Sequence, residues 1–287
     1  MTTKSFELTE PELTAEELLV IEDPHFESDT VAVVTGAASG IGQATAVALA
    51  ANGLTVVGAD IDEAGLTETV DLATDVGAKG GVHSISTDLT DETDVEAMIR
   101  GAAELGDLRY VANVAGMQHI ASITDFQMDK YDLLLDIMLR APFLIAKLAM
   151  PHIRATEDGI GAIANMSSVH GHYATRNKPA YITAKHGLNG LTRSIAAEDG
   201  GTVRGFSVSV GYVLTPLMID QIADTAKERG ISERAVVEDV MLGQARTKEM
   251  MTPVDVANLF VFGLSGYGTH LNGGDLLWDG GYTTTYE

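Results

Sequence analysis

Tyr181 and Lys185, in the run Tyr181-Ile-Thr-Ala-Lys185, stand four residues apart and so share one face of a helix, one turn from each other. A phenol beside an ammonium is a proton-transfer pair: the cation favours phenolate and lowers the Tyr pKa toward the working range of a general acid/base. Ser168, 13 residues earlier at the end of an apolar run, offers a hydroxyl to a substrate oxygen as charge moves on or off it. By itself a Tyr-x-x-x-Lys spacing has many chance matches. It gains meaning beside Thr35-Gly-Ala-Ala-Ser-Gly-Ile-Gly42, which follows an apolar strand and runs straight into a helix ended by Gly53. In that turn Gly36 permits the tight bend, Gly40 lets the backbone approach a pyrophosphate, and Gly42 lets helix and strand pack closely. The helix N–H groups of the Ser39–Ile41 stretch face the anion. Asp60 follows Gly42 by 18 residues and ends the next strand, where it would accept hydrogen bonds from adenosine ribose hydroxyls. That favours NAD. A 2′-phosphate would meet Asp60 and, in the turn, only Ala37, Ala38 and Ser39. Asp88 and Leu89 would sit beside the adenine, and Asn113-Val-Ala115-Gly116 would close the fourth strand near the cofactor; either also reads as ordinary turn chemistry.

These residues need a frame that brings strand ends together. From Thr30 onward, short β-branched runs alternate with longer Ala- and Leu-rich stretches of helical spacing, the pattern of βαβ units and a parallel sheet. Strands are expected at 31–35, 55–60, 81–87, 110–113, 161–166, 206–210 and 275–278, with helices near 41–52, 62–77, 91–105, 129–156, 179–200 and 253–264. The fold class is α/β: one domain over 30–287, a doubly wound parallel sheet of about seven strands with helices on both faces. The stretch 212–243 breaks the alternation with two short amphipathic helices above the carboxyl edge and is a candidate lid. Residues 1–29 form an acidic extension with nine carboxylates and one Lys, unlike a secretory signal. Thr14 and Glu17 fit a capping box opening one short helix that Pro24 ends, the extension packing loosely on the domain or its neighbour subunit.

Composition removes several alternatives. The 287 residues hold no Cys, so disulfides, thiolate nucleophiles and Cys-ligated metals are out. Apolar runs stop short of the roughly 20 residues that cross a bilayer. With 41 acidic against 18 basic residues, the formal charge of −23 opposes nucleic acid and anionic membranes as partners. Only eight of those 18 are Lys, a balance that points to a halophile, and nothing calls for export, so the expected compartment is the cytoplasm. No metal is expected: His170-x-His172 lacks a third ligand at suitable spacing. Met117, Met138, Met218, Met241, Met250 and Met251 read as core or lid fillers.

With TGAASGIG, the NVAG strand end, Ser168, YxxxK and Asp279-Gly-Gly281 in this order, residues 30–284 closely resemble the short-chain dehydrogenase/reductase family. The resemblance implies a Rossmann fold and hydride transfer between an alcohol or carbonyl and a nicotinamide. Tyr181 would be the acid/base, Lys185 would lower its pKa and hold the nicotinamide ribose, and Ser168 would orient the reacting oxygen. Val213 and Thr215 join the implied cofactor set, and a homotetramer built through 129–156 and 179–200 is implied as well. Gly116-Met-Gln-His119, Ser168-Val-His-Gly171, Ala180 to Gly187 and Gly211-Tyr-Val-Leu-Thr-Pro-Leu217 followed by Asp220-Gln-Ile-Ala-Asp224 are similar to the D-3-hydroxybutyrate dehydrogenase branch. There a short hydroxy acid is held by its carboxylate, which maps onto Gln118, His170, Lys178 and Gln221, with Tyr212 and Tyr282 closing the pocket. Gln118 and Gln221 read equally as solvated loop residues, and His170 as a structural histidine.

The sequence departs from the family pattern in three places. Met138 stands where many members have an Asn that holds a water of the proton relay, and a thioether is only a weak acceptor. Val114 replaces the second Asn of the usual NNAG, and Val210 stands where a Pro commonly precedes Gly211. The expected function is NAD-dependent interconversion of (R)-3-hydroxybutyrate and acetoacetate. Alternatives are another hydroxy acid, a sugar or a 3-oxoacyl thioester as substrate, or nucleotide binding without turnover.

Overall fold

The computed structural model describes Thr9 and residues 11–285. In chain order the elements are β1 (Thr30–Thr35), α1 (Gly40–Ala51), β2 (Thr55–Asp60), α2 (Glu63–Asp75), β3 (Val82–Ser86), α3 (Glu92–Leu105) and β4 (Asp107–Asn113). There follow α4 (Met128–Leu135), a π turn (Asp136–Arg140), α5 (Ala141–Ala155), β5 (Gly161–Met166), α6 (Pro179–Glu198) and β6 (Val203–Val210). The chain then forms α7 (Pro216–Arg229), the single turn α8 (Glu233–Ala235), a second π turn (Val236–Met241), α9 (Pro253–Leu264) and β7 (Asp275–Trp278). All strand pairs are parallel, in the order β3-β2-β1-β4-β5-β6-β7. Strand order reverses between β1 and β4, which opens a crevice at their carboxyl ends.

Every residue of β1, β5 and β6 is buried, as a sheet covered on both faces requires. Successive side chains point to opposite faces. Val34, Val56, Tyr110 and Phe206 pack with Leu49 and Phe260 under α1 and α9, while Val33, Val57, Val111 and Ile163 pack with Met98 and Ile145 under α3 and α5. Local chemistry agrees with the elements. Asp62 and Asp91 cap α2 and α3 with their carboxylates, and Thr252 and Asp255 form a reciprocal capping box ahead of Pro253.

Two strands begin three residues earlier than their apolar runs, because each carries an arginine that the interior accommodates. Arg109 in β4 pairs with Asp158 at 2.5 Å and Asp107 at 3.1 Å. Arg204 in β6 donates from Nη1 to the Gly263 and Gly268 carbonyls at 3.0 and 2.8 Å, and from Nη2 to those of Leu264 and Ser265 at 3.1 and 3.3 Å. A buried guanidinium thus satisfies the last carbonyls of α9, which a helix end leaves without partners.

The acidic extension also differs from expectation. Thr14 bonds the Glu17 carboxylate at 2.8 Å instead of a backbone N–H, and only one 3₁₀ turn forms, over Ala15–Glu17, well before Pro24. The segment after it is firmly seated: Leu18 and Phe26 are buried. Asn52 accepts from Ile21 N–H at 2.7 Å and donates to Leu19 C=O at 2.8 Å, while Asn258 accepts from Leu19 N–H and donates to Glu17 C=O. Two amide side chains take up the main-chain groups that an extended segment leaves unpaired.

Replacing Arg204 with Met keeps much of the volume and removes the donors. We expect Arg204→Met to lower the stability measured by urea denaturation by about 2–3 kcal/mol; an unchanged midpoint would show the four carbonyls to be satisfied otherwise.

Candidate active site

A cleft of about 500 Å³ follows the carboxyl edge of the sheet from the β1–α1 turn to α7. The end beside the β1–α1 turn is shaped by backbone contact. Gly36 has φ +70°, and a Cβ there would lie 2.8 Å from Ala115 Cα; a Cβ on Gly42 would lie 1.9 Å from the Gly36 carbonyl oxygen. Only glycine fits either position. Ser39 makes no side-chain cap, so the first turn of α1 presents its N–H groups to the cleft, which Ser39, Gly40, Ile41 and Gly42 line. Asp60 lies half-buried at the rim, accepting from Ala38 N–H at 3.2 Å and Asp62 N–H at 3.1 Å. Asp88 accepts from the Thr90 amide and hydroxyl at 2.8 and 2.7 Å, which holds its carboxyl below the usual range, and Leu89 lines the wall beside it.

Ala115, Gly116, Val213 and Thr215 line the middle of the cleft. Thr35 Oγ1 accepts from Val114 N–H at 3.0 Å and Ala115 N–H at 3.2 Å, tying the ends of β1 and β4 together. Asn113 lies deeper than the sequence implied. Its amide donates to Asn165 at 2.9 Å, Asn165 donates to Thr192, and Ser207 donates to Thr192. It therefore braces β4 against β5 behind the cleft wall.

Ser168, Tyr181 and Lys185 meet at the other end. Lys185 is buried and donates to the Met166 carbonyl at 2.6 Å, with Nζ 5.3 Å from the centre of the Tyr181 ring. Burial pushes Lys185 down to about 8. The phenol departs from the sequence argument: desolvation pushes Tyr181 up, and the opposing influence is a hydrogen bond with Ser168. Lys185 directs its ammonium at a carbonyl, and the cost of burying a phenolate outweighs what the hydrogen bond returns. Ser168 Oγ accepts from His170 N–H at 3.2 Å and lies 3.4 Å from His170 Nδ1, while Nε2 of that ring is 3.0 Å from Thr175 Oγ1. Burial first, then the Lys178 and His186 charges, push His170 down to about 3, so its imidazole is neutral. His172 points elsewhere, to Asp275 at 2.8 Å and Ser209 at 3.1 Å. Among the described residues no group of three His, Asp or Glu could hold a metal, and no helix is long and apolar enough to cross a membrane.

Gln118, His170, Lys178, Tyr212 and Gln221 all line this end of the cleft. Lys178 Nζ is 3.5 Å from Gln221 Oε1, and burial, then the Arg229 charge, push the amine down to about 8. Ala121 N–H donates to Asn177 C=O at 3.0 Å, linking the Gln118 segment to the residue before Lys178. Tyr282 is one layer back: it lies outside this lining, with its ring 6.3 Å from Tyr212 and stacked 5.7 Å from Tyr173. Leu133 and Ile137 line the cleft without having been singled out, and Thr175 holds His170. Helical spacing could have flagged Leu133 and Ile137; nothing in the sequence marked Thr175. Met138 is buried with Leu134, Ala180 and Ala184, its sulfur 3.6 Å from where a Cβ on Gly116 would be. Met218 and Met241 are also buried.

A sequence profile described as enoyl-(acyl carrier protein) reductase matches residues 36–283. The chain is 36% identical over 259 residues to D-beta-hydroxybutyrate dehydrogenase of Rhizobium meliloti, covering 88% of this chain and 98% of that one. It is 32% identical over 253 residues to the Cupriavidus necator protein of the same name, covering 88% and 96%. Among solved structures, levodione reductase superposes with a TM-score of 0.84 at 28% identity, over 91% of this chain and 100% of its own.

His170 supplies a stability test. Because its folded pKa lies near 3, below the ordinary 6.5, the unfolded chain binds more protons between those values, and stability is lost as pH falls through that window. Relative to His170→Gln, the wild-type chain is expected to lose about 1.4 kcal/mol per pH unit there. A pH-independent gap in paired denaturation curves would contradict a neutral, buried imidazole.

Proposed function

The chain belongs to the short-chain dehydrogenase/reductase family and is an oxidoreductase that uses NAD or NADP on CH–OH groups; from that premise we propose that it interconverts (R)-3-hydroxybutyrate and acetoacetate with NAD. One observation carries the reading. Gln118, His170, Lys178 and Gln221 line the same end of the cleft as Ser168 and Tyr181. One cation and three neutral hydrogen-bonding side chains suit a single short carboxylate next to a proton-transfer phenol. The relatives named D-beta-hydroxybutyrate dehydrogenase support the same substrate.

The residues fit a dinucleotide. The Gly36–Gly42 turn and the first turn of α1 would hold the pyrophosphate, Asp60 the adenosine ribose, and Asp88 with Leu89 the adenine. Ala115, Gly116, Val213 and Thr215 would flank the nicotinamide, and Asn113 would act by bracing that wall. Asp60 supports NAD, because its carboxylate would repel a 2′-phosphate. A bound nicotinamide would supply the hydride acceptor for oxidation of the hydroxy acid and the hydride donor for the reverse reaction.

The chain's own groups manage the proton and the position of the substrate. Tyr181 takes the hydroxyl proton during oxidation and returns it during reduction, and Ser168 hydrogen-bonds the reacting oxygen. The burial that keeps Tyr181 protonated suits reduction, in which the phenol must donate. Lys185, anchored on the Met166 carbonyl, would hold the nicotinamide ribose. His170 keeps Ser168 in position through two contacts and offers a neutral edge to the carboxylate. Tyr212 closes the pocket with Tyr282 behind it. Leu217, Met218 and Gln221 of α7 line the cleft, and α7 has its own small core of Met218, Ile222, Val236, Val237 and Met241. That supports a lid that moves as one body. The same reading includes a homotetramer through α4, α5 and α6; Phe143 of α5 is 60% exposed, an apolar side chain suited to such a contact.

Tyr181→Phe is expected to cut turnover at least about 100-fold while NADH binding, followed by fluorescence, persists. Lys178→Gln should raise KM for (R)-3-hydroxybutyrate, and the (S) enantiomer and NADP should be poor substitutes. A folded, NADH-binding chain inactive on both enantiomers would discard the substrate. Phe143→Asp is expected to shift the sedimentation profile from tetramer to smaller species; a wild-type monomer would remove the assembly.

A further inference from the structure

Beside the cleft lies a second chamber of about 280 Å³, lined in part by Thr175, Arg176, Arg229 and Asp239. Lys178, Tyr212 and Gln221 line both spaces, so one wall separates them and carries the amine and the amide expected to grip a carboxylate. The arginines here differ from most others in the molecule. Arg109, Arg140, Arg154 and Arg234 each pair with at least one carboxylate, and Arg204 is spent on four carbonyls. Arg176 and Arg229, like Arg100 and Arg193, are exposed and make no ion pair among the described residues, but these two line one chamber together. Arg229 is close enough for its charge to act on Lys178. Gathering like charges around one cavity is unfavourable unless an anion joins them. Arg229 also closes the last turn of α7, where a cation offsets the helix dipole; Arg176, in the segment before α6, has no such helix end to serve.

We propose that this chamber is a vestibule that binds the carboxylate of the hydroxy acid on Arg176 and Arg229 and passes it to Lys178 and Gln221 across the shared wall. The proposal rests on the hydroxy-acid reading. A planar guanidinium takes a carboxylate through two parallel hydrogen bonds, and at a surface it holds that anion without the cost of full burial. On a molecule of net charge −23, an anionic substrate gains most from a local reversal of sign at the place where it enters. Asp239, on the same chamber, opposes the two arginines and keeps the vestibule from retaining its anion.

The test compares (R)-3-hydroxybutyrate with its uncharged methyl ester in the wild-type chain, in the Arg176→Gln/Arg229→Gln double variant and in Asp239→Asn. The acid-to-ester ratio of kcat/KM is expected to fall about tenfold in the double variant, carried by KM. It should rise in Asp239→Asn and recover in part in Arg176→Lys/Arg229→Lys. An unchanged ratio in the double variant, equal losses on acid and ester, or a lower ratio in Asp239→Asn would overturn the proposal. A second readout needs no turnover: line broadening of ¹³C-labelled acetate by the chain should be reduced severalfold in the double variant. If the chain oxidises uncharged alcohols and not the acid, the substrate reading fails alone, and equal acetate broadening in both proteins is what overturns the vestibule.

Discussion

The close approach of the Gly36 turn to Ala115 is the constraint on which the rest of the site depends. A side chain at position 36 would collide with the backbone of the neighbouring strand end, and one at position 42 would collide with the turn itself. Without those atoms, α1 starts against the carboxyl end of β1, and Thr35 can lock the ends of β1 and β4 with two hydrogen bonds. The crevice at the strand-order reversal is therefore a consequence of backbone packing. The same packing aims the first turn of α1 and Ala115 at one space, with Thr215 lining it from across the cleft.

A strongly acidic chain meets each inward-facing cation with a different device. Arg109 is neutralised by two aspartates, Arg204 by the carbonyls of a helix end and its following turn, and Lys185 by one main-chain carbonyl with a lowered pKa. Among the described residues, the Lys178 amine has one hydrogen-bond partner, the amide oxygen of Gln221 at 3.5 Å, and no ion pair. A structural cation is surrounded by permanent partners, whereas one that must bind an anion has to leave room for it. By that physical criterion Arg109 and Arg204 belong to the fold, whereas Lys178 on the cleft wall keeps room for an anion, as the proposed substrate requires.

Helical spacing accounts for where Met138 goes. Leu133 and Ile137, four residues apart, line the cleft, while Leu134 and Met138, four apart on the adjoining face, pack inward against Ala180 and Ala184. Met138 thereby supports the base of α6, one turn from Tyr181. Packing stands here where the family resemblance implies a polar side chain, and the ammonium of Lys185 donates to the main-chain carbonyl of Met166.

Much of the architecture was legible in the residues alone. Apolar runs alternating with helical stretches located the seven strands, because a sheet covered on both faces needs continuous β-branched runs, and the glycine spacing located the tight turn between β1 and α1 because only glycine tolerates those contacts. Tyr181 and Lys185 were readable as a pair, since four residues on a helix bring two side chains to one face. Tertiary structure alone decided the remainder. The early starts of β4 and β6 depend on distant partners for Arg109 and Arg204, Tyr282 stands behind Tyr212 because of how the chain after β7 folds back, and Asn113 turns away from the cleft to meet Asn165. The protonation preference of Tyr181 was likewise beyond the sequence. It is set by desolvation and by where Lys185 points, and both are properties of the assembled interior.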